Sequence, residues 1–299
     1  MKGARSVEKK RILVVGLGLI GGSLAMALRG FEDYEVVGAV RSQSTHDKAA
    51  ALHAADRLTF DPAAELPAAD VVVLCQDPAG ILSFLRDNRE RFKPGALVWD
   101  VCGVKTAVMA EAERLPEGVD LIGCHPMAGK EVSGIDNAEA TLFRNTHFIV
   151  TPGPRATREH LALLRRIAAH CRFGDVIETT PERHDEMIAY TSQLMHVIAV
   201  SVCDSDELFS CMGFEGGSFR DCTRVAALDA AMWTQLFTLN APALVKVLET
   251  LEERLRQYRE AIQSGDEDGL RSMLARASDR KKRINLERAR GDDVRPSFI

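Results

Sequence analysis

Short apolar runs alternate with stretches of helix-forming residues through the first half of the chain. Residues 12–15 (Ile-Leu-Val-Val), 35–40, 70–75, 96–100 and 120–124 each read as a strand, several entered from Pro-, Gly- or Asp-containing turns. Two more runs, 147–150 and 173–177, flank a helical stretch over about residues 155–170. This alternation predicts a parallel sheet with crossover helices. From Pro181 onward no strand signal recurs. Met187, Ile188, Leu194, Met195, Ile198 and Val202 recur at helical spacing, and 194–203 is apolar nearly all round, which predicts a helix buried at the centre of an assembly. Leu244, Leu248, Leu251, Leu255, Tyr258 and Ile262 then step by alternating fours and threes, the seam that two helices present to each other. Ser264-Gly265-Asp266 breaks that seam. A last charged helix runs to about Arg290, before a loose tail containing Asp and Arg.

The first strand opens onto Gly16-Leu17-Gly18-Leu19-Ile20-Gly21-Gly22-Ser23. Gly16, Gly18 and Gly21 stand at the spacing that lets a chain turn sharply, approach a pyrophosphate and start a tightly packed helix. The good helix formers Leu24 to Arg29 follow, so backbone N–H groups and the helix dipole would face an anion. Strand before and helix after favour dinucleotide binding over an ordinary glycine turn. The expected architecture is an α/β Rossmann-type nucleotide-binding domain over 1–180, then an all-α dimerisation and substrate domain over 181–299.

Composition narrows the classes further. The 299 residues suffice for two domains. A net charge of −5 argues against a nucleic-acid or anionic-membrane partner. No apolar run approaches the ~20 residues of a membrane span, and Met1 to Lys10 is polar, unlike a secretory leader. The seven cysteines are scattered, odd in number and without metal spacing, so reduced thiols in a cytoplasm are expected and no metal.

Polar residues gather at the C-terminal ends of the predicted strands, the edge where open parallel sheets bind ligands. Asp100 to Lys105 follows one strand, and Gly123-Cys124-His125-Pro126-Met127-Ala128-Gly129-Lys130-Glu131 follows the next. Proline ends the ladder after His125, whose ordinary pKa of ~6.5 suits proton transfer near neutrality. Gln193 and His196 sit in the most apolar helix, where polar groups need partners that a ligand or the core supplies. Arg220 and Arg224, one helical turn apart after Gly216-Gly217, suit a carboxylate clamp.

Taken together, these landmarks resemble the prephenate/arogenate dehydrogenase family of tyrosine biosynthesis. The likeness runs from about Arg11 to Leu239. It implies oxidative decarboxylation of prephenate to 4-hydroxyphenylpyruvate, with hydride transfer from ring C4 to NAD(P) and loss of the ring carboxylate as CO₂. His125 would accept the C4 hydroxyl proton, and Arg224 would bind a substrate carboxylate with Arg220 nearby. Gln193 and His196 would line the pocket, and Glu131 would gate or orient it. Gly103 takes the place where many relatives carry a Ser that contacts both substrate and nicotinamide. Gln193 stands where many carry a His, and Met195 where many carry a Pro. The loop at Gly16, Gly18, Leu19, Ile20 and Gly21, together with Cys75, would hold the coenzyme.

An acidic residue ~20 positions past the glycines ordinarily binds the ribose 2′-hydroxyl. Val40 stands there, followed by Arg41-Ser42-Gln43-Ser44. Arg41, Ser42 and Ser44 therefore favour NADP over NAD. The expected partners are a small-molecule substrate and a second copy of the chain, paired through the helical half as a homodimer. Arogenate is the alternative substrate. A β-hydroxyacid-type dehydrogenase would use a lysine on the first helices after the sheet, but none occurs between Lys130 and Lys246. A non-catalytic dinucleotide sensor would not need His125 together with the arginine pair.

Overall fold

The computed structural model describes residues 9–289. Most of the polar start, and the tail after about Arg290, lie outside them. Eight strands form one sheet in the order β3-β2-β1-β4-β5-β6-β7-β8: β1 (Lys10–Val15), β2 (Tyr34–Ala39), β3 (Arg57–Thr59), β4 (Val71–Leu74), β5 (Leu97–Asp100), β6 (Asp120–Pro126), β7 (Phe148–Pro152) and β8 (Val176–Glu178). Neighbours pair in parallel except at one seam. There β7 runs antiparallel to β6, with His125 opposite Ile149. The all-parallel expectation fails because the segment between these strands holds only a single 3₁₀ turn (Ile135–Asn137) and no crossover helix. A parallel return needs such a crossover.

Both faces of the sheet are buried, which explains why its central strands are continuous apolar runs. Ile12 and Val14 point into one core with Leu24 and Leu28 of α1 (Leu19–Leu28). Leu13 and Val15 point into the other, with Ile81 and Leu85 of the helix Pro78–Asp87. That second core also takes Leu236, with Trp233 and Leu239 against it. A helix of the second half, Ala230–Leu239, is thereby seated beside the C-terminal ends of the strands.

Two compact units are formed, divided between Leu244 and Val245. The first holds the sheet and the helices up to Ala230–Leu239. Its helix Leu194–Cys203 is less enclosed than its sequence predicts: only Leu194 and Ala199 are buried within one chain, while Met195 and Val202 are exposed. The preceding turn, Ala189–Gln193, is a π-helix. The second unit is built from the long helix that ends at Ser264 and the helix Glu267–Ala289. Gly265 turns the chain between them with a left-handed φ of +68°.

Candidate active site

The glycine loop leaves β1 at Gly16, whose φ of +96° is a left-handed value. A Cβ at Gly21 would sit 1.9 Å from the Gly16 carbonyl oxygen and 2.8 Å from Cys75 Cβ. Only glycine lets α1 begin this close to the sheet. A Cβ at Gly18 would meet nothing within 4 Å, because that face of the loop opens onto a cavity. No side chain caps α1 at Gly18, so its first N–H groups stay free for an anion.

The cavity, about 590 Å³, lies beyond the ends of β1, β4, β5 and β6. It gathers most of the expected site. Gly18, Leu19, Ile20 and Cys75 line one end, and Gly103, His125, Gln193 and His196 line the rest. Gly16 and Gly21 are not in the lining; they pack against each other at the base of the loop. Gln76, next to Cys75, brings a buried Oε1 that has no hydrogen-bond partner among the described residues.

The Asp100–Lys105 segment is structural. Both side chains are fully buried. Lys105 Nζ donates to Asp100 and to the Cys124 carbonyl at 2.7 Å, while Asp100 accepts from Cys102 N at 2.8 Å and Cys124 N at 3.2 Å. This buried, hydrogen-bonded pair ties the β5 turn to β6 and so fixes where His125 emerges. Gly103 faces the helical wall, where a Cβ would come 3.3 Å from Leu236 Cδ2.

His125 Nδ1 lies 2.9 Å from His184 Nε2, and His184 Nδ1 lies 2.8 Å from Asp185 Oδ1. Asp185 in turn accepts from the backbone of Lys105 at 2.7 Å and Thr106 at 2.8 Å. Burial pushes both imidazoles below their ordinary pKa; at His125 the neighbouring His184 and Lys105 push the same way. Asp185 is held below the usual carboxylate range: burial opposes this, but the hydrogen bonds from His184 and Thr106 outweigh it.

Gln193 is buried and bonded at both ends of its amide: Oε1 accepts from Asn240 Nδ2 at 2.7 Å, and Nε2 donates to the Leu236 carbonyl at 3.1 Å. Asn240 Nδ2 also reaches the Asp185 carbonyl at 2.9 Å. His196 is anchored through Nδ1 to the Ser192 carbonyl at 3.0 Å and stacks on Trp233 with ring centroids 3.7 Å apart. The π-turn before it brings Ile188, Ser192, Gln193 and His196 to the same wall.

The remaining expected residues stand apart from the cavity lining. Arg224 pairs with Glu131, both more than half exposed, and Arg220 Nη2 reaches the Glu215 carbonyl at 3.4 Å. Arg41, Ser42 and Ser44 lie on the surface beyond β2, with Ser42 capping the helix Gln43–Ala51 through Thr45 N at 3.2 Å. The sequence reading missed His184, Asp185, Asn240, Gln76 and Trp233. His184 and Asp185 carried one usable signal: they follow Thr180-Pro181, a helix start that puts them in its first turns.

Two family models match the chain: the prephenate dehydrogenase nucleotide-binding domain over residues 24–175 and the prephenate dehydrogenase dimerization domain over 180–276. The chain belongs to the prephenate dehydrogenase family. It is 32% identical to the cyclohexadienyl dehydrogenase of Zymomonas mobilis over 295 residues, 96% of this chain and 99% of that protein. Among solved structures it resembles Synechocystis arogenate dehydrogenase (32% identity, TM-score 0.78, 92% of this chain and 99% of that one). It also resembles the prephenate dehydrogenase of A. aeolicus in complex with hydroxyphenyl propionate and NAD+ (28% identity, TM-score 0.82, 94% and 100%).

Membership makes the chain an NAD(P)-dependent dehydrogenase, and the residues present fit such a coenzyme. The open face at Gly18, the uncapped start of α1 and the unpartnered Gln76 Oε1 offer space, N–H donors and an acceptor along one edge. No described helix is long and apolar enough to cross a membrane.

Proposed function

We propose that the chain oxidises and decarboxylates prephenate, with His125 as the base at the ring hydroxyl. Its position carries the reading: the imidazole lines the cavity between the glycine loop and the helical wall. A bound nicotinamide supplies the hydride acceptor. His125 takes the hydroxyl proton as positive charge builds at the ring carbon. Trp233, Leu236 and Met232 form an apolar wall that suits the ring and excludes water.

Prephenate is favoured over arogenate by the carboxylates near the cavity. Arogenate carries an ammonium where prephenate carries a keto group. The one carboxylate in the lining, Asp77, caps the helix Pro78–Asp87 through Gly80 N at 2.7 Å, and Glu131 is paired with Arg224. The likeness to Synechocystis arogenate dehydrogenase keeps arogenate as the second reading. The test is kcat/KM for each substrate, read as nicotinamide absorbance. A higher value with arogenate overturns the preference, and no turnover with either overturns the function.

Arg224, with Arg220, is assigned to a substrate carboxylate, and Glu131 holds the Arg224 guanidinium until substrate arrives. Arg224→Ala is expected to raise the substrate KM about tenfold or more, the weight of a charge-assisted bond, with the coenzyme KM unchanged. Equal changes in both constants would make Arg224 structural.

NADP is favoured over NAD. Arg41 is exposed at the end of β2 and forms no ion pair among the described residues. Asp61, on the segment after the neighbouring β3, is engaged by Ala64 N at 3.1 Å. A 2′-phosphate at this edge would meet Arg41 and the hydroxyls of Ser42 and Ser44. Arg41→Ala should therefore lower kcat/KM with NADP and spare that with NAD. A wild-type preference for NAD, or an unchanged ratio in the variant, refutes the assignment.

The homodimer expected from the helical half is supported by exposed apolar side chains. Leu255, Ile262, Leu274 and Leu286 are each more than half exposed in the second unit, and Phe209, Met212 and Phe214 in the first. A monomer mass by light scattering at micromolar concentration would exclude it. Free thiols at all seven cysteines accord with a cytoplasmic protein.

A further inference from the structure

We infer that His184 and Asp185 select the form of His125 that can act as a base, and that His184 receives a proton as His125 takes one. This rests on the reading of His125 as the base at the substrate hydroxyl. Three contacts carry the argument, and each fixes the next.

Asp185 is ionised and can only accept, so the proton in its 2.8 Å contact with His184 sits on His184 Nδ1. His184 is neutral near pH 7, which leaves its Nε2 with a lone pair. The 2.9 Å contact to that nitrogen must then be filled by the Nδ1–H of His125. His125 is neutral as well, so the lone pair on its Nε2 is left free for a substrate proton. No side chain at position 103 shares this task. Gly103 has no hydroxyl, and Leu236 faces the place where a side chain would begin.

The same chain of contacts provides a place for the charge. Three other charged groups stand near the two rings: Asp185 on the helix Pro181–Ile188, Asp100 at the end of β5, and Lys105 after it. The Lys105 ammonium disfavours charge on either ring, while Asp185 bonds directly to His184 and favours charge there. When the substrate O–H bond breaks, its proton forms a bond to His125 Nε2. The Nδ1 proton of His125 then crosses to His184 Nε2. One proton has entered His125 and one has left it. The imidazolium ends beside the Asp185 carboxylate, away from the cationic reacting carbon. Asp185 stays unprotonated, and a bound oxidised nicotinamide would take the hydride, hydrogen and electron pair together, from the ring carbon.

The experiment is a two-bond ¹H–¹⁵N correlation spectrum of the full chain labelled at its eight histidines, with His125→Asn and His184→Gln assigning the signals. At neutral pH the unmodified protein should show His125 and His184 both protonated at Nδ1. Asp185→Asn keeps an oxygen that accepts from His184 Nδ1–H and Lys105 N but removes the negative charge, so His125 should stay protonated at Nδ1 while the imidazolium loses its anion. Single-turnover oxidation should then fall by about 10–100-fold, the weight of one charge-assisted bond. In His184→Gln the amide oxygen still accepts from His125 Nδ1–H, so the tautomer should persist, but no ring takes the second proton and the rate should fall likewise. An Nε2-protonated His125 in the unmodified protein overturns the inference, and so does an unchanged single-turnover rate in both variants. If Asp185→Asn does not fold, the unmodified spectrum and His184→Gln decide. The expected spectrum in a protein that oxidises neither prephenate nor arogenate upholds the tautomer assignment and sinks only the function it rests on.

Discussion

Asparagine in place of His125 is expected to leave coenzyme affinity unchanged and to lower turnover by ~10²–10⁴-fold, the usual weight of a positioned acid or base. The side chain stands on β6, whose register is fixed by β5 on one side and β7 on the other, so shortening it should not move the strand. The same residue sets the expected pH profile. Its basic form is the neutral one, present above its pKa. Burial, then His184 and Lys105, hold that pKa well below 6.5. The acid limb of log(kcat/KM) should therefore fall well below pH 6.5, with activity flat through neutrality until another group titrates. A limb at or above 6.5 would point to a solvated imidazole elsewhere. Turnover close to that of the unmodified protein in His125→Asn would remove the base assignment altogether.

The sequence made the sheet legible wherever strands are buried on both faces. Such strands are uninterrupted apolar runs, and 12–15, 70–75 and 96–100 all fall on observed strands. It hid β3, whose Arg-Leu-Thr carries no apolar pattern and is a strand only because β2 supplies its hydrogen-bond partners. Direction at β6–β7 was also hidden, because a run of apolar residues reads the same either way along a sheet.

At the site, local geometry was readable and distant pairing was not. Glycine spacing announced the loop, and the strand-end His-Pro announced His125. Nothing in the sequence joins His125 to His184, 59 positions away, or Asn240 to Asp185, 55 away. Those contacts exist because helices of the second half pack onto the ends of the strands. Gln193 shows the converse. Its polarity in an apolar helix left a ligand or the core open as partner, and most of its hydrogen-bonding capacity goes to Asn240 and the Leu236 carbonyl. A buried amide is as well satisfied by its own protein as by a substrate.

Two glycines of the loop, Gly18 and Gly21, should separate packing from binding. Gly21→Ala places a methyl 1.9 Å from the Gly16 carbonyl oxygen, a backbone atom that cannot swing aside. The strand-to-helix turn must open, and overpacking of this kind costs about 1–3 kcal/mol or more. Tm should drop by several degrees, and coenzyme binding should be lost with it, because α1 no longer aims its N–H groups at the phosphates. Gly18→Ala is the contrasting case. Its φ of −90° suits alanine and its Cβ meets nothing within 4 Å, so the protein alone should melt where the unmodified one does. That methyl nevertheless stands on the open face where the pyrophosphate must approach. Displacing one or two charge-assisted bonds of about 1.5–3 kcal/mol each should raise the coenzyme Kd roughly 10–100-fold or more. Coenzyme titration by nicotinamide fluorescence, alongside melting curves for both variants, checks the pair. A Gly18→Ala protein that binds coenzyme normally would mean the pyrophosphate does not lie against this loop. A Gly21→Ala protein with unchanged Tm would mean the close approach at Gly16 relaxes at no cost.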